Sequence, residues 1–265
     1  MIPSGDALRG ITVLVTRPAH QSQHIIELLE STGAASFAFP SIEIAAISPD
    51  QALIQRLDEL PKYRMIIFIS ANAVEYGLNF IKKSSKSIDH AAIVAIGNST
   101  AKALQKHHIP VAIQPDQNFT SEALLQMPDM QAEQIAGHDI LIVRGTGGRP
   151  YLAETLRSRG SRVDYMEVYQ RRRPESDTRA LIDLWAAGGI HVVTVTSNEA
   201  LKNLYDMLDK KGQEYLLNTV LIVPGQRCAD LATQLGFRNS IEIAASATDE
   251  DMLDAIVKWH KPDYS

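Results

Sequence analysis

Gly10-Ile-Thr-Val-Leu-Val-Thr-Arg17 returns further along the chain as Gly137-His-Asp-Ile-Leu-Ile-Val-Arg144, an offset of 127 positions (17 to 144). Each copy is a glycine, a short run of mostly aliphatic residues, and an arginine. The apolar run reads as a strand buried on both faces of a parallel sheet. The correspondence continues in order. Gly33 falls on Gly160 and Ser70 on Ser197 at the same offset; Gly97 falls on Gly225, Ala101 on Ala229 and Thr120 on Thr248 one residue later. Matching elements in one order, with one residue of slip, mark an internal duplication of an α/β unit. Such a repeat decides the fold.

Outward from these anchors, strands and helices alternate. Strands are expected at Ile11–Val15, Met65–Ile69, within Ile88–Ile96, and at Val111–Ile113, Asp139–Val143, His191–Thr196, Thr219–Val223 and Ile241–Ile243. Helices are expected from Pro18 to about Ser31, at Pro49–Leu60, Ala71–Lys82 and Asn98–His107, and from a Thr120 cap to Pro128. Others follow to about Arg159 and at Asp177–Ala187, Asn198–Lys210, Gln226–Leu235 and Thr248–Trp259. Near-continuous Val, Ile and Leu strands with helices between them mean parallel sheets covered on both faces.

The stretch Asp164-Tyr-Met-Glu-Val-Tyr-Gln-Arg-Arg-Arg173 stands apart. Strand alternation places Tyr165, Glu167, Tyr169 and Arg171 on one side and Met166, Val168 and Gln170 on the other. It occupies the place in the second copy that Phe39–Ile44 holds in the first, and Pro40 keeps that segment out of a central strand. The two are expected to pair antiparallel as a ladder between two similar parallel-sheet α/β/α lobes. Lobe one would then be discontinuous, 1–38 plus 173–265; lobe two would span 45–166, with the ladder at 39–44 and 167–172.

Composition narrows the function. A net charge of −5 over 265 residues argues against a general nucleic-acid partner. The N-terminal stretch lacks signal-peptide features, and no apolar run approaches the ~18 residues of a membrane helix, so no membrane partner is expected. One cysteine, Cys228, permits no internal disulfide and suits a reducing cytoplasm. There is no CxxC, HExxH or acidic calcium loop, so no metal is expected. His107-His108 falls at a helix end, where positive charge favours the dipole.

In parallel sheets, ligands bind beyond the carboxyl ends of the strands, against helix N-termini. Those ends carry Thr16 and Arg17; Ser70 and Asn72; Gly97, Asn98, Ser99 and Thr100; Arg144, Gly145 and Thr146; Thr196, Ser197 and Asn198; and Gly225, Gln226 and Arg227. Hydroxyls, amides, glycines and arginines at helix N-termini suit an anionic ligand with several negative groups. Ser, Thr and Asn serve equally well as N-caps. The glycine-rich Gly145-Thr-Gly-Gly148 is not a full dinucleotide fingerprint, and there is no P-loop lysine or nucleophile elbow. A site rich in anion-holding groups and poor in strong acids and bases works mainly by positioning its substrate.

Val-Thr-Arg-Pro18, Phe-Ile-Ser-Ala-Asn72, Ala-Ile-Gly-Asn-Ser-Thr-Ala101, Val-Arg-Gly145, Val-Tyr169 and Val-Thr-Ser197 together resemble the uroporphyrinogen-III synthase family, over Gly10 to about Trp259. The resemblance implies two lobes with an active site in the cleft between them, and a cytoplasmic, cofactor-free, cyclising hydro-lyase of porphyrin and heme biosynthesis. Its substrate would be hydroxymethylbilane, a linear tetrapyrrole bearing acetate and propionate groups. Water leaves the terminal hydroxymethyl group, the last pyrrole ring inverts through a spiro intermediate, and the macrocycle closes. Tyr169 matches the family's proposed proton donor for the leaving oxygen; a phenol donates while neutral at pH 7. The partners implied are the small tetrapyrrole substrate and a transient hand-over from the preceding pathway enzyme, with the protein a monomer.

One turn departs from the family pattern. Where the first copy has Gly97-Asn-Ser-Thr-Ala101, the second has Gly225-Gln-Arg-Cys-Ala229, and a thiol is a weak donor beside a threonine hydroxyl. Two other readings share the fold: a two-lobed, non-catalytic binding or sensor protein for an organic polyanion, and a nucleotide-using enzyme built on Gly145–Gly148.

Overall fold

A computed structural model describes residues 5–261. The chain opens with β1 (Thr12–Val15), α1 (Gln23–Ser31) and β2 (Ala35–Ala38). It continues through β3 (Glu43–Ala46), α2 (Gln51–Asp58), β4 (Met65–Phe68), α3 (Ala71–Lys83), β5 (Ala92–Ala95), α4 (Asn98–Lys106), α5 (Ser121–Gln126) and α6 (Ala132–Ile135). Next come β6 (Asp139–Gly145), α7 (Tyr151–Ser158), β7 (Arg162–Arg172), α8 (Arg179–Ala186), β8 (Val192–Thr194), α9 (Asn198–Met207) and α10 (Lys210–Leu217). The last elements are β9 (Val220–Val223), α11 (Gln226–Leu235), β10 (Ile241–Ile243) and α12 (Asp249–His260).

Two compact units result. One takes the residues up to Glu43 together with those from Arg172 onward, and the other takes Ile44–Arg171. The first unit holds a five-stranded sheet in the order β10-β9-β8-β1-β2, in which every neighbouring pair of strands is parallel. Its core joins Val13, Val15, Val192, Val220 and Ile222 of the strands to Ile25 and Leu29 of α1 and Leu253 and Ile256 of α12. The second unit's sheet runs β3-β7-β6-β4-β5, with β7, β6, β4 and β5 pairing parallel in turn. Ile67, Ile140, Ile142 and Val163 of this sheet pack against Leu124 of α5 and Leu152 and Leu156 of α7. On its other face, Gly77 of α3 lies over Phe68, Val143 and Met166. Among the described residues no helix is long and apolar enough to cross a membrane.

Local sequence accounts for the boundaries. Asp50, Thr120, Asp209 and Thr248 cap α2, α5, α10 and α12 by accepting an N–H three residues on. Gly33 follows α1 in the left-handed region (φ 78°). His107 is the C-cap of α4 and pairs with Glu75 at 2.9 Å.

The structure differs from the sequence reading in several places. The helix expected over Asn198–Lys210 breaks at Leu208, which is extended (ψ 143°), and Asp209 starts α10. Val111–Ile113 forms a single bridge, Ile113 to Val94, instead of a strand. Phe39 and Ser41 donate to the carbonyls of Val15 and Thr16 at 2.9 and 3.0 Å. The strand beside β7 is therefore Glu43–Ala46, past Pro40, which has no N–H to offer a ladder. Ile47 N–H donates to Val168 O at 3.4 Å, and Arg172 grips Glu43 through two bonds of 2.9 and 3.1 Å.

A polar network lies within the second unit. The Tyr63 ring is fully buried, and its hydroxyl donates to Asp164 at 2.9 Å while accepting from Arg56 at 3.1 Å. Arg56 and Lys62 both bridge Glu59 and Asp164. Burial pushes the Tyr63 phenol up to about 12, with the Arg56 hydrogen bond opposing and the Asp164 carboxylate assisting.

Candidate active site

Parallel strands place their carboxyl ends along one edge of each sheet. In the first unit this edge carries Thr16 and Arg17 after β1, Thr196, Ser197 and Asn198 after β8, and Gly225, Gln226 and Arg227 after β9. In the second it carries Ser70 and Asn72 after β4, Gly97, Asn98, Ser99 and Thr100 after β5, Arg144 and Gly145 at the end of β6, and Tyr169 near the end of β7.

The first unit's edge is partly self-satisfied. Thr16 is 1% exposed, and its hydroxyl donates to Thr194 O at 2.7 Å. Arg17 pairs with Asp249 of α12 at 2.7 Å and donates to Ala247 O. Ser197 caps α9 by accepting from Ala200 N at 3.0 Å. The Asn198 amide donates to Arg227 O at 3.3 Å, and Gln226 donates to Asp230 at 2.8 Å. Thr196 is half-buried. Arg227 is exposed, and its guanidinium forms no ion pair among the described residues. Cys228 behind it is buried, and burial pushes its thiol up to about 11.

On the second unit's edge, Asn98 accepts from Gln114 at 2.6 Å, Ser99 is exposed and Asn72 is half-buried. Gly97 packs under Phe119, which is 42% exposed. Thr100, at 1% exposed, faces the interior of its unit. Arg144 is also inside: it is 5% exposed, lies over the Tyr165 ring at 4.6 Å, and donates to Gly145 O at 3.1 Å. Its charge is met by that ring and by Glu167 at 3.9 Å, so it supports the edge from behind.

Tyr169 does not follow the expected alternation. The register between β6 and β7 shifts at Arg144/Gly145, so that Arg144 faces Glu167 and Gly145 faces Tyr169. This bulge leaves Val168 as the extra residue, and Val168 and Tyr169 are both buried. Tyr165 stays on the α7 side, packed with the core beneath that helix. Tyr169 turns to the α3 side, its ring 5.8 Å from that of Tyr76 at 33°. Its hydroxyl reaches Ser70 Oγ at 3.1 Å, and Ser70 in turn caps α3 by accepting from Ala73 N at 3.0 Å. The phenol is thereby fixed at the carboxyl edge, at 4% exposure.

Three residues at these edges escaped sequence reasoning as site residues, Tyr76, Glu167 and Asp249, while Thr146 already stood among the strand-end groups. Tyr76 walls the Tyr169 ring and donates to Ile44 O at 2.8 Å. Thr146 N–H donates to Tyr169 O at 2.8 Å, and Glu167 accepts from Gly147 N at 3.3 Å. Asp249 holds Arg17. Only Thr146, in the glycine-rich turn, carried a sequence signal.

The sequence model of the family described as uroporphyrinogen-III synthase HemD matches residues 23–254. The chain belongs to this family. The uroporphyrinogen-III synthase of Salmonella typhimurium is 33% identical over 248 residues, covering 93% of this chain and 100% of that protein. The Escherichia coli uroporphyrinogen-III synthase is 32% identical over 251 residues, with the same coverage. The fold agrees with solved structures. A Helicobacter pylori uroporphyrinogen-III synthetase superposes with a TM-score of 0.61, at 16% identity, over 94% of this chain and 99% of that one. A mutant Thermus thermophilus uroporphyrinogen III synthase gives 0.55, also at 16% identity, over 96% and 99%. At that identity these two matches speak for the α/β architecture with two parallel-dominated sheets.

Proposed function

We infer that this uroporphyrinogen-III synthase family member converts hydroxymethylbilane to uroporphyrinogen III, as a cyclising hydro-lyase without a cofactor. The observation that carries the reading is the family match over residues 23–254. The residues support its chemistry. A polycarboxylate needs N–H groups and cations, and the strand ends supply helix N-termini with Arg17 and Arg227. We assign the strand-end residues that face outward at the two edges as substrate contacts, with Thr16, Thr100, Arg144 and Gly145 supporting those edges from within, and Tyr169 as the donor. Its phenol gives its proton to the departing hydroxyl, which leaves as water and creates the electrophile that the last pyrrole ring attacks. The bulged, Ser70-bonded position of Tyr169 supports this role.

The wider organisation belongs to the same reading. We take the chain as a duplicated α/β unit with lobes at 1–38 plus 173–265 and 45–166, acting as a monomer in the cytoplasm. Strand order supports the duplication. With the repeat offset, β2-β1-β8-β9-β10 corresponds in sequence to β7-β6-β4-β5 followed by the Ile113 bridge. Glu43 with Arg172, and Ile47 with Val168, run in opposite directions along the chain, which supports an antiparallel ladder.

Incubation of the purified protein with hydroxymethylbilane, followed by isomer analysis of the oxidised product, tests the activity. The type III isomer is expected; type I alone, at the rate without enzyme, refutes it. Tyr169→Phe is expected to lower kcat by about 10²-fold or more while the far-UV spectrum is retained. Unchanged kcat removes Tyr169 from the donor role.

A further inference from the structure

We propose that Gly145 and Tyr76 are positioning residues that set where the Tyr169 phenol sits, and through it the rate of the chemical step. The proposal rests on the reading of Tyr169 as proton donor. A regular strand would send Tyr169 to the α7 side with Tyr165 and Glu167. The register shift opposite Arg144/Gly145 sends it to the α3 side instead. The turned ring needs room, and Gly145 provides it. A Cβ added there would lie 2.6 Å from both Cε2 and Cζ of Tyr169 and 3.1 Å from Cδ2. These are atoms of a rigid ring rather than the end of a flexible chain. Gly145 is absent from the positive-φ glycines, unlike Gly147 (φ 78°) and Gly148 (φ 93°) in the same turn. Glycine therefore stands at 145 for space, and an alanine there meets the ring without straining the backbone.

Tyr76 closes the other side. Its ring lies 5.8 Å from that of Tyr169, and its own hydroxyl is anchored on Ile44 O at 2.8 Å. With Gly145 beneath, Tyr76 beside and Ser70 at the hydroxyl, the ring has one seat. Neither Gly145 nor Tyr76 has a proton to give in the reaction: one lacks a side chain, and the hydroxyl of the other is committed to a carbonyl. Their effect passes through the place of one oxygen. A displacement of about 1 Å at a reacting group costs up to about 10²-fold in rate, whereas the carboxylate contacts that set affinity lie elsewhere on the strand ends.

Steady-state kinetics of type III isomer formation, with circular dichroism as the folding control, test this. Gly145→Ala and Tyr76→Leu are each expected to lower kcat by about 10-fold or more and leave KM within about twofold. Tyr76→Phe, which keeps the ring, recovers most of the kcat lost in Tyr76→Leu. In a Tyr169→Phe background, Gly145→Ala adds less than about twofold, because the group it displaces has gone. Wild-type kcat in the Gly145 variant, alongside a slow Tyr169→Phe, overturns the proposal; so does a full additional loss in the double variant. If Gly145→Ala fails to fold, Tyr76→Leu, at a half-buried helix position, carries the same test. A Tyr169→Phe enzyme as fast as wild type is a different failure: it removes the donor reading, and the proposal with it.

Discussion

Replacing Tyr63 by phenylalanine removes one oxygen from the buried network and keeps the ring. The hydroxyl donates to Asp164 and accepts from Arg56. Hydrogen bonds to charged partners contribute about 1.5–3 kcal/mol each at most. Arg56 and Lys62 remain on Asp164, at 2.7 and 3.1 Å, so neither charge is stranded. The loss at pH 8 is therefore expected near the low end, about 1–2 kcal/mol. The pH dependence is the sharper test. The phenol titrates at about 12 in the folded protein, against 10.0 ordinarily. The folded state thus holds the proton more tightly than the unfolded chain. The stability this gives is fully present below pH 10 and is lost as pH rises towards 12. At pH 11 the unfolded phenol is mostly ionised and the folded one mostly protonated, which costs the wild type about 1.4 kcal/mol that the variant does not lose. The gap between the two proteins should therefore shrink by that amount from pH 8 to pH 11. Urea unfolding followed by far-UV circular dichroism is the assay, because both tryptophans, Trp185 and Trp259, lie in the other unit. A gap that stays constant or widens would refute the assignment of a raised Tyr63 pKa.

Two further outcomes follow from packing. Gly77→Ala gains about 1 kcal/mol of helix propensity but places a methyl 2.8 Å from Val143 Cγ1 and 3.4 Å from Phe68 Cε1. Val143 and Phe68 are both fully buried, so overpacking of about 1–3 kcal/mol wins and the urea midpoint should fall; a higher midpoint would contradict this packing. Cys228, 2% exposed and titrating at about 11, should resist iodoacetamide at pH 8 in the native protein and react at once in urea. Native labelling at the unfolded rate would show the thiol to be accessible.

The order of elements was legible because its signals are local. Aliphatic runs such as Ile140–Val143, caps such as Thr120 and Thr248, and Gly33 after α1 each act within a few residues. What stayed hidden depended on partners. The break at Leu208 was masked because Leu204 and Leu208 keep helical spacing, and only the Asp209 cap reveals α10. The side on which Tyr169 lies could not be read from β7 alone, because the bulge is a property of its pairing with β6. The strand-end residues were legible as a set, yet their exposure was not. Thr16, Thr100 and Arg144 look like ligand groups in sequence, but the structure turns them inward, where a carbonyl, a helix core and an aromatic ring receive them.

The discontinuity of the first unit bears on biosynthesis. Its interior strand β1 lies between β2 and β8, so Val13 meets Ser36 early but finds its second partner only at Val192, whereas the second unit closes within Ile44–Arg171. A ribosome delivering this chain at about 5–20 residues per second exposes β1 and β2 with the apolar residues of their sheet uncovered for many seconds. The nested unit can meanwhile complete its core. The order of maturation is then inside first, outside last, with β1 and β2 waiting for β8 to complete their sheet.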